Sequence, residues 1–200
     1  MNKDKIILTD VDGVLLDWEW AAGVWMKERG LVQRKDAKNY YNISHQFENV
    51  TDADAKKYTK LFNESAAIGF LPPLRDSVYW VKRLHEEHGY RFRAITSLST
   101  DANAIKLREM NLAKYFGPTV FESIVCLDTG GDKDEALEPY RDSGLFWIED
   151  KVSNADLGHA LGLRSVLLEH GHNMRHECPY PIAKNWREIY DLVLEAHTSL

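Results

Sequence analysis

The sequence predicts an α/β fold, in which a parallel β-sheet carries helices on both faces and a helical segment is inserted after the first strand. Short aliphatic runs alternate with amphipathic helical patterns over residues 74–200. Residues 16–73 depart from that alternation and show helical patterns without strands. A length of 200 residues, 44% of them hydrophobic and 28% charged, suits one domain with a modest insertion. We therefore expect one core built from residues 1–15 and 74–200, with residues 16–73 as a helical insertion.

Between the start of the sequence and the end of the insertion, the patterns predict one strand and two helices. Residues 5–9 are a short aliphatic run closed by an aspartate, which predicts a buried strand. A helical pattern follows over residues 18–29, and Gly30 is suited to its C-terminal stop. Thr51 is a good N-cap for a second helix over residues 53–66.

Strands and helices alternate after the insertion, which indicates parallel strands with crossover helices. The predicted helices cover residues 77–88, 101–110, 133–140, 154–161 and 186–196. The predicted strands cover residues 91–95, 123–127, 144–148 and 165–168. We expect the strand at 165–168 to be the last one of the sheet.

Composition narrows the classes of function. The formal net charge is −6, and no basic block stands out, so we do not expect binding to a nucleic-acid polymer. Two cysteines cannot form a disulfide framework, and no stretch approaches the roughly 20 apolar residues of a membrane span. The apolar run at residues 6–8 is too short for a signal peptide. We expect a cytoplasmic protein without membrane contact, as a monomer or a homodimer.

Acidic and hydroxyl side chains lie next to the ends of several predicted strands. Five that stand out are Asp10, Asp12, Thr96, Glu149 and Asp150. A sixth, Lys133, precedes the predicted helix that follows the strand at 123–127 and can reach the same edge. Because ligands of open α/β sheets bind outside the carboxyl ends of the strands, these side chains can meet at one edge. Taken singly, each is more often a turn former, a helix cap or a solvated charge.

Together these groups contain the parts of metal-assisted phosphoryl transfer. Three carboxylates at one edge repel each other unless a cation lies among them, and oxygen ligands of this kind suit Mg²⁺. One carboxylate can attack phosphorus, and a second one can protonate the leaving oxygen and then activate water. A hydroxyl and a lysine can hold the phosphoryl oxygens.

Residues 10–14, Asp-Val-Asp-Gly-Val, resemble the first motif of the haloacid dehalogenase (HAD) superfamily. Thr96, Lys133 and the pair at 149–150 are similar to its second, third and fourth motifs, in the same order. Two aspartates in the first motif resemble the phosphatase branch. The resemblance implies a Rossmann-like HAD core and identifies residues 16–73 as a helical cap over the site.

The same resemblance implies roles for individual residues. It makes Asp10 the nucleophile and Asp12 the general acid and base, while Thr96, Ser97 and Lys133 bind the phosphoryl group. The implied cofactor is Mg²⁺. Its implied ligands are Asp10, the backbone carbonyl of Asp12, and Asp150, with Glu149 further from the ion.

A narrower resemblance is to the 5′(3′)-deoxyribonucleotidases. It is carried by residues 15–19 (Leu-Leu-Asp-Trp-Glu), 70–74 (Phe-Leu-Pro-Pro-Leu), 147–151 (Trp-Ile-Glu-Asp-Lys) and 185–189 (Asn-Trp-Arg-Glu-Ile). It implies hydrolysis of (deoxy)nucleoside monophosphates. The sequence departs from that family at Glu149, where the family has aspartate, and over residues 31–50 in the middle of the cap.

The nucleotidase resemblance also implies which cap residues contact the substrate, namely Trp18, Tyr41, Ile68 and Phe70. Aromatic rings can stack on any nucleobase because every base has a π-face. The alternative is that these side chains form the small core of the cap itself.

Other functions stay open at this point. The same chemistry fits a sugar phosphate, another small phosphomonoester or a polynucleotide end, and an aspartyl-phosphate can also be discharged to an alcohol. A non-catalytic HAD binding module is a further alternative, although no motif residue is lost. A zinc site at His170, His172, His176 and Cys178 has no standard ligand spacing, and we expect loop residues there instead.

Overall fold

The fold rests on six parallel strands, seen in a computed structural model that describes residues 5–174 and 176–198. The strands are β1 (Ile6–Thr9), β2 (Arg91–Thr96), β3 (Phe121–Cys126), β4 (Phe146–Glu149), β5 (Arg164–Leu168) and β6 (Ile182–Ala183). Their order across the sheet is β3-β2-β1-β4-β5-β6, and every neighbouring pair is parallel. The strand order reverses between β1 and β4, so a crevice is expected above their carboxyl ends. The predicted α/β fold is confirmed.

Helices connect the strands and cover the sheet. They are α1 (Trp18–Lys27), α2 (Ile43–Gln46), α3 (Asp52–Asn63), α4 (Ser77–His88), α5 (Ala102–Phe116), α6 (Asp134–Leu137), α7 (Val152–Ala160) and α8 (Trp186–Thr198). Short 3₁₀ turns lie at Ala37–Asn39, Ala66–Phe70 and Glu138–Tyr140. No helix in the described ranges is long and apolar enough to cross a membrane.

Two sequence-based expectations about these elements are wrong. The strand at 165–168 is not the last one, because β6 pairs with β5 through Leu167 and Leu168. A two-residue strand is too short to show an alternating pattern. Helix α5 also continues six residues beyond position 110, because Leu112 and Phe116 extend its buried face until Gly117 ends it.

The insertion leaves the core and returns to it at one place. Leu16 forms an antiparallel bridge with Pro73, and the Asp17 amide donates a 2.9 Å hydrogen bond to the Pro72 carbonyl. Inside the insertion, Thr51 caps α3 through a reciprocal capping box. Phe62 of α3 is fully buried in the same apolar cluster as the strands of the sheet, so the insertion packs on the core.

Candidate active site

The loop after β1 stands at the reversal of strand order. The Asp10 amide donates a 2.9 Å hydrogen bond to the Ile148 carbonyl, which ties this loop to the end of β4. Gly13 adopts a φ of +76°, and a Cβ there would lie 2.3 Å from Oδ2 of Asp150. Only glycine therefore allows Asp150 to approach the loop that carries Asp10.

Lys133 links the first and fourth strand ends. Its ammonium lies 3.0 Å from Oδ2 of Asp10 and 3.1 Å from Oε1 of Glu149. Burial alone would lower the pKa of Lys133, but the charges of Asp10 and Glu149 raise it above its usual value. Lys133 is therefore a buried, charged group held beside the Asp10 carboxylate.

Glu149 is fully buried, and its carboxylate is occupied by protein groups. It accepts hydrogen bonds from Lys133, from the Asn154 side chain and from the Asp150 amide. Burial, followed by the charge of Asp10, raises the pKa of Glu149 to about 7. Glu149 therefore helps to hold the Lys133 ammonium in place.

Asp150 completes an acidic group in which carboxylate oxygens of Asp10, Glu149 and Asp150 lie within 4.8 Å of one another. Burial, then the charges of Glu149 and Asp10, raise the pKa of Asp150 well above its usual value. His172 lies 3.8 Å away, but burial lowers the pKa of its imidazole and so favours the neutral form. A divalent cation bound between Asp10 and Asp150 would balance this charge, so the residues fit Mg²⁺.

The Asp12 carboxylate is hydrogen-bonded by Arg108 of α5, a residue that sequence reasoning missed. The guanidinium donates hydrogen bonds of 2.6 and 3.1 Å to the two carboxylate oxygens of Asp12. Burial raises the pKa of Asp12, although Arg108 opposes that shift. The available signal was spacing, because Arg108 lies four residues from both Ala104 and Leu112 on the buried face of α5.

The hydroxyl residues after β2 lie at the same edge. Thr96 is fully buried, and no hydrogen-bond partner within the described residues reaches its hydroxyl oxygen. The Ser97 hydroxyl donates a 2.7 Å hydrogen bond to the Gly131 carbonyl, in the loop that leads to Lys133. Among the described residues the Thr96 hydroxyl is thus left unpartnered, whereas Ser97 joins two loops of the site.

A cavity of about 530 Å³ lies between this edge of the sheet and the insertion. All the predicted catalytic, phosphate-binding and metal-binding residues except Glu149 line it. Among the predicted substrate contacts, Trp18 and Tyr41 line it as well. Ile68 and Phe70 are not among the described lining residues. Ile68 is fully buried in the main apolar cluster, and Phe70 is 70% exposed elsewhere on the surface.

The two aromatic side chains in the cavity wall differ in their surroundings. The indole nitrogen of Trp18 donates a 2.9 Å hydrogen bond to Oδ1 of Asn63, and the ring packs edge-on against Phe62. Tyr41 is 51% exposed, and its ring meets His172 at a centroid distance of 5.3 Å. Trp18 is thus shared between the core of the insertion and the cavity, whereas Tyr41 faces the cavity with little packing.

The loop after β5 braces the site. The ring of His170 is hydrogen-bonded to the Gly13 carbonyl at 2.7 Å, and the Asn173 amide group donates to the Asp150 carbonyl at 2.8 Å. The Cys178 thiol donates to the Tyr180 carbonyl at 3.2 Å. Within the described ranges, no histidine–cysteine group is arranged to hold a metal ion, so the zinc alternative gains no support.

Comparisons with solved structures define the class of fold. A haloacid dehalogenase-like hydrolase of Streptococcus pneumoniae matches with a TM-score of 0.65 and 14% identity, over 96% of this chain and 99% of that one. CbbY of Rhodobacter sphaeroides, solved in complex with phosphate, matches with a TM-score of 0.59 and 17% identity, over 92% of this chain and 96% of that one. D,D-heptose 1,7-bisphosphate phosphatase of B. bronchiseptica, complexed with magnesium and phosphate, matches with a TM-score of 0.57 and 12% identity, over 96% of this chain and 99% of that one. The chain therefore has the fold of the HAD-like hydrolases.

Comparisons of the sequence alone do not identify a family for this chain. No family model matches the chain. An uncharacterized 32.4 kDa protein of Enterobacteria phage T4, from the Gp30-rIII intergenic region, is 24% identical over 157 residues. The match covers 75% of this chain and 55% of the phage protein, so the chain spans about half the length of that relative.

Proposed function

We propose that this protein is a Mg²⁺-dependent phosphomonoesterase that hydrolyses (deoxy)nucleoside monophosphates to nucleoside and phosphate. The observation that carries the proposal is the contact of Asp10 with Lys133 at 3.0 Å, beside the unpartnered hydroxyl of Thr96 and the carboxylate of Asp150. All four residues line one cavity, which supports a nucleophile, a phosphate-binding cation, a phosphate-binding hydroxyl and a metal ligand as their respective roles in the order Asp10, Lys133, Thr96 and Asp150.

In the first half-reaction, an Asp10 oxygen attacks phosphorus and the bond from phosphorus to the ester oxygen breaks. Asp12 gives its proton to that departing oxygen, and the nucleoside leaves as an alcohol. In the second, Asp12 takes a proton from water while the water oxygen attacks phosphorus. The bond from phosphorus to Asp10 then breaks, which releases phosphate and restores the Asp10 carboxylate.

Lys133 and Thr96 act on the phosphoryl oxygens in both half-reactions. The Lys133 ammonium, fixed by Asp10 and Glu149, neutralises charge that builds up on those oxygens. Asp10, Asp150 and the backbone carbonyl of Asp12 would hold Mg²⁺, which when bound offsets the negative charge of the carboxylates and the phosphoryl group.

Two rings support a nucleotide as the substrate. Trp18 and Tyr41 both line the cavity, and base–aromatic stacking contributes about 1–3 kcal/mol per base. A sugar phosphate is the second candidate. It is favoured by the polar side chains of Glu19, Asn42 and Thr59 in the same cavity wall, which are not fully buried and suit hydroxyl groups. A matched structure is also a heptose bisphosphate phosphatase.

The first test is phosphate release from a panel of ribonucleoside and deoxyribonucleoside monophosphates and sugar phosphates, with and without Mg²⁺. We expect release from nucleotides that requires Mg²⁺ and is lost in Asp10→Asn. The matched control is Asp191→Asn, an exposed aspartate of α8, which should keep wild-type activity. Release that is indifferent to metal, or full activity of Asp10→Asn, would contradict the proposal.

The second test separates the two substrate classes. Tyr41→Ala should lower kcat/KM for nucleotides by roughly 10-fold and spare a small alkyl phosphate, because only the nucleotide carries a ring that can stack on Tyr41. Tyr79→Ala is the control, since Tyr79 is 59% exposed on α4 and does not line the cavity among the described residues. Equal losses on both ester types, or faster turnover of sugar phosphates, would favour the second candidate.

A further inference from the structure

We infer that Arg108 is a positioning residue of the reaction, which holds the Asp12 carboxylate where the leaving oxygen takes its proton. This inference rests on the proposed phosphomonoesterase activity. Arg108 is fully buried and is absent from the described lining of the cavity, whereas Asp12 lines it. The guanidinium therefore acts on substrate only through Asp12.

The geometry of the pair fixes the carboxylate in two directions. Both oxygens of Asp12 accept hydrogen bonds from Arg108, at 2.6 Å from Nη1 and 3.1 Å from Nη2. Arginine presents these donors as a rigid planar fork, so a paired carboxylate keeps both its position and its plane. The Asp12 side chain remains 20% exposed, which leaves one edge of it open to the cavity.

The rest of the Arg108 environment shows that the guanidinium is oriented toward Asp12 at the expense of other contacts. Its Nε is buried without a hydrogen-bond partner among the described residues. Asn111, one turn later on α5, donates to the Leu71 carbonyl, but its Oδ1 is unpartnered in the same way. A fully buried arginine is costly, and one that served stability alone would gain by giving these two polar atoms hydrogen-bond partners.

The position of Asp12 matters most when the leaving oxygen is strongly basic. A nucleoside alkoxide departs only if it receives a proton, whereas a nitrophenolate leaves without one. Loss of Arg108 should therefore slow phosphorylation of Asp10 by a nucleoside monophosphate and spare phosphorylation by p-nitrophenyl phosphate. A general defect of the fold would slow both reactions alike.

The experiment is rapid-mixing kinetics of Arg108→Met and Arg108→Lys with the two esters in Mg²⁺. For Arg108→Met we expect a roughly 100-fold slower single-turnover release of nucleoside, with KM within about threefold of wild type. The burst of nitrophenolate should stay within a few fold in rate, and only its later turnover should fall. Arg108→Lys keeps the charge without the fork and should lose less on the nucleotide.

The matched control is Arg93→Met, which removes another arginine–carboxylate pair, at 2.9 Å from Glu122 and outside the cavity. It should leave both rates unchanged. In the background of Asp12→Asn, Arg108→Met should cause no further loss on the nucleotide.

Equal losses on the two esters, or undiminished nucleotide turnover in a folded variant, would overturn the role of Arg108. If Arg108→Met does not fold, the same comparison in Arg108→Lys decides. A wild-type protein that hydrolyses neither ester would instead overturn the proposed function, and this inference with it.

Discussion

Gly13 offers a sharp perturbation of the proposed metal site, because it changes the position of Asp150 without touching that residue. A Cβ at position 13 would lie 2.3 Å from Oδ2 and 2.8 Å from Cγ of Asp150, whereas ordinary contact begins at 3.4 Å. The carboxylate must then move by roughly 1 Å, because dispersion contacts become repulsive at shorter range. The Asp150 backbone is held by Asn173, so we expect the side chain to rotate.

That displacement is large on the scale of metal coordination. Mg²⁺ requires near-octahedral ligands at about 2.0–2.1 Å, so an oxygen that moves by this amount leaves the coordination sphere. We expect Gly13→Ala to raise the Mg²⁺ concentration needed for half-maximal phosphate release. We also expect it to lower kcat by roughly 100-fold at a fixed Mg²⁺ concentration.

Gly89→Ala supplies the matched control. Gly89 has a φ of +71°, close to the +76° of Gly13, but no atom lies within 4 Å of the position its Cβ would take. Both variants should lose about 1–2 kcal/mol of unfolding free energy from the left-handed backbone. Only Gly13→Ala should change the Mg²⁺ titration. Wild-type Mg²⁺ dependence in both variants would refute the predicted displacement of Asp150.

Three further perturbations have defined outcomes. Lys133→Met should abolish phosphate release and lower the unfolding free energy by about 3–5 kcal/mol, because it leaves Asp10 and Glu149 as unpaired buried charges. Burial lowers the pKa of His170 to about 4. The unfolded chain therefore takes up a proton near pH 6.5 that the folded chain refuses, so stability falls as pH drops from about 6.5 to 4, by at most about 3 kcal/mol. His170→Gln should flatten this slope in urea unfolding. Gly171→Ala would place a Cβ 2.3 Å from the Lys38 carbonyl, so it should push the insertion away and raise KM.

Each of these has its own control and contrary result. Lys82→Met removes an exposed helical ion pair and should change neither phosphate release nor the unfolding free energy. An unfolding free energy of Lys133→Met equal to wild type would refute the stabilising role of the buried pair. His45→Gln, at an exposed histidine, should leave the pH slope unchanged, and an unaltered slope in His170→Gln would contradict the argument. In the control Gly23→Ala, the added Cβ contacts only the flexible Gln33 side chain, at 3.5 Å. An equal KM for the two glycine variants would argue against close packing of Gly171 on the Lys38 carbonyl.

The parallel sheet and most of its elements were predictable, because aliphatic runs and helical periodicity survive as local patterns. Helix α4 is an example, since its bounds at Ser77–His88 agree with the prediction and Gly89 ends it in a left-handed conformation. Strand β6 was not predictable, because two residues carry no period. Its pairing depends on the neighbouring strand β5.

Some residues of the site were likewise predictable from local patterns, whereas others depend on long-range contacts. Asp10 and Asp150 stand beside strand ends, so the rule for open α/β sheets brings them to one edge without further information. The role of Arg108 depends on how α5 packs beneath the loop after β1, and a long-range contact of this kind leaves no local motif. For the same reason, Ile68 and Phe70 could not be assigned from their place in the chain, because a 3₁₀ turn directs one inward and the other to solvent.

Phosphorylation of the Asp10 carboxylate is the claim on which the proposed function depends, and acid quenching traps that intermediate. The protein is mixed with a labelled nucleoside monophosphate and Mg²⁺, quenched in acid within the first turnover, digested and analysed by mass spectrometry. We predict label on the peptide that contains Asp10, and none in Asp10→Asn. Label on another residue, or phosphate release at the wild-type rate from Asp10→Asn, would contradict the claim.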